Sequence, residues 1–245
     1  IWACAGNVNE SLTVNVIQGK VENLMITSSK ENLTADESAV IVLEGEDIRG
    51  NIFTLTPPKQ NWTYPEDSLL SISNEVIWNP KNTGWQNISV QESGFSAELS
   101  FNVTHGNPIR LSIVGDNILI TSDESVEMQS VLVDADGNYL PVISNWSTYN
   151  VQASEWLTEF GDTAKFDGWT AGSWKILSEY IHPVSGQYFV AEYDILVSVG
   201  ELNQILLDGH GLTLTVDDIL DLNPRAIDSA GNLISNVDMI WTING

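Results

Sequence analysis

One spacing recurs three times along this 245-residue chain and constrains its fold more than any other feature. Fifteen residues after Gly19, Gly106 and Gly200 stands a threonine followed by acidic residues: Thr34-Ala35-Asp36-Glu37, Thr121-Ser122-Asp123-Glu124 and Thr215-Val216-Asp217-Asp218. Twenty-eight residues after each glycine stands an aspartate, with a Gly-Asn pair three further on: Asp47 with Gly50-Asn51, Asp134 with Gly137-Asn138, Asp228 with Gly231-Asn232. Self-similarity at fixed offsets marks repeated structural units. The boundary glycines lie 87 and then 94 residues apart, too far for a solenoid repeat, so each repeat is a domain.

Between the markers the residues alternate with period two, as in Val126 to Val133, Leu212 to Val216 and Leu99 to Val103, and helical periodicity is nearly absent; residues 152–160 fit one short turn. Short strands in units of roughly 100 residues predict an all-β fold of tandem immunoglobulin-like β-sandwich domains. Each copy carries a tryptophan after the Gly-Asn turn, Trp62, Trp146 and Trp241, in the place where a sandwich needs one large residue between its sheets. A Gly-Trp pair, Gly84-Trp85 and Gly168-Trp169, precedes the last strands of the two full copies, and these five recurring tryptophans are expected in the core. The chain opens with Trp2-Ala3-Cys4-Ala5 and Ser11 to Val16, matching the late part of a copy, and stops after Trp241-Thr242-Ile243-Asn244-Gly245. The expected organisation is residues 1–19 as the last strands of a preceding domain, 20–106 and 107–200 as whole domains, and 201–245 as the early strands of a further one.

The pattern resembles the bacterial Ig-like (Big) tandem repeats of prokaryotic surface proteins. The residues that carry the likeness are Leu33 to Glu37, Val133-Asp134-Ala135-Asp136-Gly137-Asn138, Asn145-Trp146-Ser147 and residues 161–172, strongest in 107–200 and looser in 20–106. The resemblance implies spacers and adhesive or lattice-forming modules outside the cell.

Charge narrows the function classes. Nine Lys+Arg against 33 Asp+Glu give a formal charge of −24 and exclude a phosphate-binding basic surface, hence a nucleic-acid partner. No apolar stretch approaches the roughly 18 to 20 residues of a membrane span, and the first residues lack the pattern of a signal peptide, so no membrane insertion is expected. The acidic excess is spread along the chain, as for a solvated surface in a salty medium. One Cys and three His leave little for zinc or redox chemistry. Cys4 is read as a small buried hydrophobe whose partner, if any, lies upstream.

Asp134, Asp136 and Asn138 have the D-x-D-G-N look of a calcium turn, since hard cations take oxygen ligands at alternate positions around a glycine. Only the hairpin turn is common to all three copies, and the twelfth position of an EF-hand-like loop is Asn145 where a glutamate is needed, so the turn is the preferred reading and no cofactor is expected. The pairs Asp36-Glu37, Asp123-Glu124 and Asp217-Asp218 read either as turns bonding their own backbone, which is preferred, or as a cation-stiffened lining of the junction between domains. A glycosidase pair needs a cleft that an edge turn does not supply. His105, His182 and His210 lie in loops without an assembled nucleophile and base.

Six N-x-S/T sequons occur, at Asn9, Asn32, Asn61, Asn87, Asn102 and Asn145, against roughly 3.6 expected by chance from the composition. Asn61 and Asn145 are the preferred glycosylation candidates, because they precede strand tryptophans and alternation then points them at solvent. Trp78 and Trp156, outside the recurring slots, are the candidate carbohydrate contacts. The functional expectation is a non-catalytic extracellular or cell-surface structural or adhesive module. Its partners would be neighbouring Ig-like domains of a longer chain, surface glycans or copies of itself; the alternative is a carbohydrate-binding or accessory array of a secreted enzyme.

Overall fold

The computed structural model describes residues 1–73, 75–116 and 118–243, apart from the side chains of 151 and 152. The protein is all-β, with two 3-10 turns, at Lys59–Asn61 and Val151–Trp156, as its helical content among the described residues. The chain divides into two compact units, residues 1–107 and 108–245.

The first unit opens with a hairpin of β1 (Trp2–Ala5) and β2 (Val8–Ser11). Two sheets follow. One has the order β3 (Asn23–Ser28), β5 (Ala39–Glu46), β9 (Val76–Asn79), β8 (Leu69–Ile72), with β6 (Ile52–Leu55) paired to β5; the other runs β4 (Asn32–Thr34), β11 (Phe95–Thr104), β10 (Gly84–Glu92), β7 (Trp62–Thr63). Neighbours are antiparallel except β4, which lies parallel to β11 in the register Leu33↔Val103. Strict alternation along β5 puts Ala39, Ile41 and Leu43 inside, against Trp62, Ile88, Val90, Phe101 and Val103 of the facing sheet. Trp78 on β9 fills the centre: it is fully buried, 4.8 Å from the Phe101 ring, and its indole N–H donates to Ser68 Oγ at 2.9 Å.

The second unit repeats this connectivity, each strand pairing as its counterpart nine strands earlier. β12 (Pro108–Gly115), β14 (Ser125–Asp134), β18 (Thr163–Asp167) and β17 (Leu157–Phe160) make one sheet, with β15 (Tyr139–Pro141) on β14. The other is β13 (Leu119–Thr121), β20 (Tyr188–Ser198), β19 (Gly172–Ile181) and β16 (Asn145–Thr148). Met128, Trp146, Phe166, Ile176 and Ile195 are buried between them. A small antiparallel sheet of β21 (Gln204–Leu206), β22 (Arg225–Ile227) and β23 (Leu233–Ile234) follows. It corresponds to β12, β14 and β15.

The structure corrects several expectations. Leu212 to Val216 alternates like a strand but is irregular and exposed. Its counterparts β4 and β13 are each held by one parallel neighbour, the last strand of their own copy, and residues 201–243 contain no such strand. The strand at Ser11 likewise ends there; Leu12 exchanges two backbone hydrogen bonds with Ile1 at 2.8 Å, and 13–16 belong to no sheet. Of the five recurring tryptophans only Trp62 and Trp146 are buried; Trp85 is 75 % exposed and Trp169 and Trp241 are each 53 % exposed. Cys4 is exposed, where a buried position was expected. Asn244 and Gly245, the end of the last expected strand, lie outside the described residues.

Candidate functional site

The three repeated markers meet at Gly200, and two of the three meet at Gly19 and at Gly106. The cause is strand register. β4 runs parallel to β11, so the acidic turn that ends β4 lies beside the end of β11, where the chain leaves; Ala35 N–H donates to the Thr104 carbonyl at 2.9 Å. β3 runs antiparallel to β5, so the Asp-Gly-Asn hairpin that ends β5 lies beside the start of β3, where the chain arrives; Glu22 N–H donates to the Glu46 carbonyl at 2.8 Å. The offsets of 15 and 28 residues are the contour lengths of these two returns.

Within each acidic pair the two residues divide the work. The second caps its own turn: Thr34 N–H donates to Glu37 at 3.0 Å, Thr121 N–H to Glu124 at 2.9 Å, and Thr215 N–H to Asp218 at 2.6 Å. In the two full copies the first reaches out of the copy. Asp36 accepts from the backbone N–H of Asn107 at 2.6 Å, and Asp123 from that of Glu201 at 2.7 Å. Turn and junction lining, two competing readings of the sequence, are therefore both present on adjacent residues, with N–H groups as the partners of the junction carboxylates.

The hairpin aspartate holds the incoming chain. Asp47 accepts from Gly19 N–H at 3.1 Å and Asp228 from Gly200 N–H at 3.0 Å. Asp228 is 1 % exposed, and its oxygens also take Ser122 Oγ at 2.6 Å, Ala230 N–H at 3.0 Å and Asn232 N–H at 2.7 Å. Burial alone would raise its pKa, and the hydrogen bonds from Ser122, Gly200 and Asn232 overcome this and hold the carboxyl well below the usual range. Asp47 is held down to about 2, first by the Asn51 side chain and then by backbone donors of Asn51, Arg49 and Gly19. Two further contacts tie residues 201–243 to the copy before them: Ser229 Oγ donates to Asp123 at 2.5 Å, and the Asn232 side chain bridges Ala171 N–H and the Trp169 carbonyl at 3.0 and 2.9 Å. Ser122 stands where the other copies have Ala35 and Val216, so no repeat pattern points to it.

The boundary residues must be glycine for want of space. A Cβ on Gly106 would sit 2.6 Å from Asp36 Oδ1, and on Gly19 2.9 Å from Asp47 Oδ2; on Gly200 it would meet the Asp123 carboxylate at 2.5 Å from Cγ. The hairpin glycines answer a different need, with φ of 82°, 88° and 87° at Gly50, Gly137 and Gly231.

The other candidate residues separate. Asp134 is 1 % exposed and its carboxylate is approached by N–H groups: Asp136 and Asn138 backbone at 3.0 and 2.9 Å, and Asn138 Nδ2 at 2.8 Å. Asp134, Asp136 and Asn138 thus form an Asx-type hairpin turn, the reading preferred from the sequence, with N–H groups directed at the Asp134 carboxylate. Among the described residues no group of three or more His, Cys, Asp or Glu is placed to hold a metal ion. Trp78, fully buried, offers no face to a sugar, which corrects its reading as a carbohydrate contact. Trp156 is half-buried, packed edge-on against Trp174 at 5.0 Å and Phe166 at 6.4 Å. Asn145 is exposed beside buried Trp146; Asn61 is half-buried and donates to Glu92 at 3.1 Å. His182 lies 3.0 Å from Ser185 Oγ at an exposed hairpin tip, and none of its described partners is a carboxylate that would orient it as a base.

Among the described residues no helix is long and apolar enough to cross a membrane. No protein-family model matches the chain, and no curated protein matches it. Among solved structures it is similar to the Escherichia coli adhesin FdeC, at 16 % identity and a TM-score of 0.48 over 88 % of this chain and 77 % of that one. It is also similar to invasin, a bacterial integrin-binding protein, at 18 % identity and a TM-score of 0.40 over 85 % and 47 % of the two chains. Domains 4–9 of the surface layer protein SbsC match at 17 % and 0.32 over 89 % and 38 %. Likenesses of this size carry no functional inference, and the identification of the fold as tandem Ig-like β-sandwiches rests on the strand order of the two units themselves.

Proposed function

We propose that the chain is a run of tandem Ig-like domains, divided near residues 19, 106 and 200, from a non-catalytic extracellular or cell-surface protein in which they serve as spacer, stalk or lattice segment. The observation that carries this reading is the carboxylate clasp at the junctions: Asp36, Asp47, Asp123 and Asp228 all spend their oxygens on holding the chain at the step from one copy to the next. The short link at Gly200, clasped on both sides by Asp123 and Asp228, transmits position from one copy to the next where a flexible linker would lose it. Neighbouring domains of the same longer chain are then the first partners. The spread of negative charge discourages clumping of such arrays and favours solubility. The carbohydrate-binding alternative keeps Trp156 of its two contacts. Antibody labelling and protease shaving of intact cells that make the protein test the surface reading; a chain protected until the cells are lysed refutes it.

A further inference from the structure

Three sequons converge on one patch of the first full copy. Asn32 lies on β4, Asn102 on β11 and Asn87 on β10, three adjacent strands of one sheet. The residue after each, Leu33, Val103 and Ile88, is buried, so alternation aims all three asparagines at the outer face, and all three are exposed. Register gathers them around one aromatic side chain: Asn102 is paired with Asn32 on one side and with Trp85 on the other, and Asn87 follows two residues after Trp85 on the same face. Directly paired Cβ atoms are about 5 Å apart and i, i+2 neighbours about 7 Å. Trp85 stands 75 % exposed at the centre of this group.

The second unit shows that the fold does not demand this arrangement. The same register positions hold Leu119, Leu196 and Lys175, with Ser173 in place of the tryptophan, and Lys175 is ion-paired to Glu192 at 2.5 Å and Asp194 at 3.5 Å. In a chain of 33 acidic residues, the outward positions of β4, β10 and β11 carry one carboxylate, Glu98. An exposed indole surrounded by uncharged amides and hydroxyls neither repels a neutral ligand nor is shielded by charge.

We infer that this outer face is an N-glycosylated surface, with Asn32, Asn87 and Asn102 as acceptors and Trp85 as the platform on which the first sugar rings lie. Attachment forms a bond from asparagine Nδ2 to the sugar C1 and breaks the C1–O bond of an activated glycosyl-phosphate donor; the phosphate leaves, and one amide proton is released. Donor and transferase belong to the host. The apolar C–H face of a pyranose ring stacks on the indole, covering the exposed surface that the bare protein leaves in water. The inference goes beyond the surface reading and fails independently of it, since intact-cell labelling does not depend on glycans.

The test is glycopeptide mass spectrometry on the full chain secreted by a host whose transferase acts at N-x-S/T, with tryptophan fluorescence before and after enzymatic glycan removal. A glycan at one or more of Asn32, Asn87 and Asn102 is expected, together with a red shift on removal that is at least about two-fold smaller in Trp85→Ala. Unmodified asparagines at all three positions, whatever the state of Asn9 or Asn145, overturn the inference. Glycans whose removal shifts Trp85→Ala as much as the parent overturn the platform.

Discussion

Asp228→Ala removes the carboxylate at the centre of the junction between residues 108–200 and 201–243. Five donors lose their acceptor: Ser122 Oγ, the N–H groups of Gly200, Ala230 and Asn232, and Asn232 Nδ2, at 2.6 to 3.0 Å. Hydrogen bonds to a charged group contribute about 1.5 to 3 kcal/mol each, but they are not additive, and donors at an opened junction rehydrate. A loss of about 2 to 4 kcal/mol is expected, the scale for leaving several neutral donors without their acceptor when part of them regain water. The effect should be local. Ala226 is the one buried apolar residue among 201–243, so apolar burial contributes little there and the clasp is the main anchor of β21, β22 and β23. Amide exchange resolved by residue is the assay: in the variant, Gly200, Ala226 and Ile227 should exchange about 100-fold faster or more, while Phe166 and Ile176 in the neighbouring core stay unchanged. Gly200→Ala, which drives a Cβ into Asp123 and displaces the N–H that Asp228 accepts, should move the Ala226 and Ile227 amides with the Asp228 carboxylate still present. Acceleration below about three-fold in both variants refutes the anchoring role of the clasp.

Trp78→Ala should destabilise the 23–104 sandwich by about 3 to 5 kcal/mol, whereas Trp85→Ala in unglycosylated protein should stay within about 0.5 kcal/mol; calorimetry that reverses this order contradicts the burial of the two side chains. Asp47 has its pKa depressed from 3.8 to about 2, so the clasp at Gly19 is fully formed above pH 4 and is lost as pH falls through 2; the Gly19 amide shift in an NMR titration should report that window, and a midpoint near 4 would show the carboxylate to be unbound. Chelator should leave the melting temperature within about 1 °C, because N–H groups already occupy the Asp134 carboxylate; a fall of about 10 °C, as loss of several kcal/mol of linkage would give, contradicts that.

The fold was legible because the features that define it are local and repeated. The all-β class followed from period-two runs such as Val126 to Val133, which lie inside β14, and the hairpins from glycines that prove to have positive φ. Long-range partners were not legible. Leu212 to Val216 has the alternation of a strand, yet alternation records only which side chains share a face and says nothing of whether a neighbour exists to accept the backbone bonds. The tryptophans show a different failure. Recurrence put Trp85 in the core, although Trp85, Asn87 and Ser89 alternate with Ile88 and Val90 and so belong on the wet face; variability put Trp78 outside, although Val76 and Trp78 share the inward face of β9. Periodicity within a strand was the better guide. The clasp was half visible: constant offsets marked its glycines and aspartates, but the role of each carboxylate depends on which backbone N–H the register delivers to it.

The parallel pairing of β4 with β11 decides how a copy bears tension. The chain enters upstream of β4 and leaves from the end of β11, so a pull on both ends drives these two strands in opposite directions along their shared axis. Their rungs, Asn32↔Asn102, Leu33↔Val103 and Thr34↔Thr104, are loaded together in shear, whereas an antiparallel hairpin pulled open at its free ends would yield one rung at a time. The Asp36 bond to Asn107 lies just past the last rung and shares the load. The second unit has the same three rungs, Leu119↔Leu196 to Thr121↔Ser198, with Asp123 in the same relation to Glu201. Under the proposed spacer role, tension on a copy would therefore load these three rungs in shear once β3 has parted from β5.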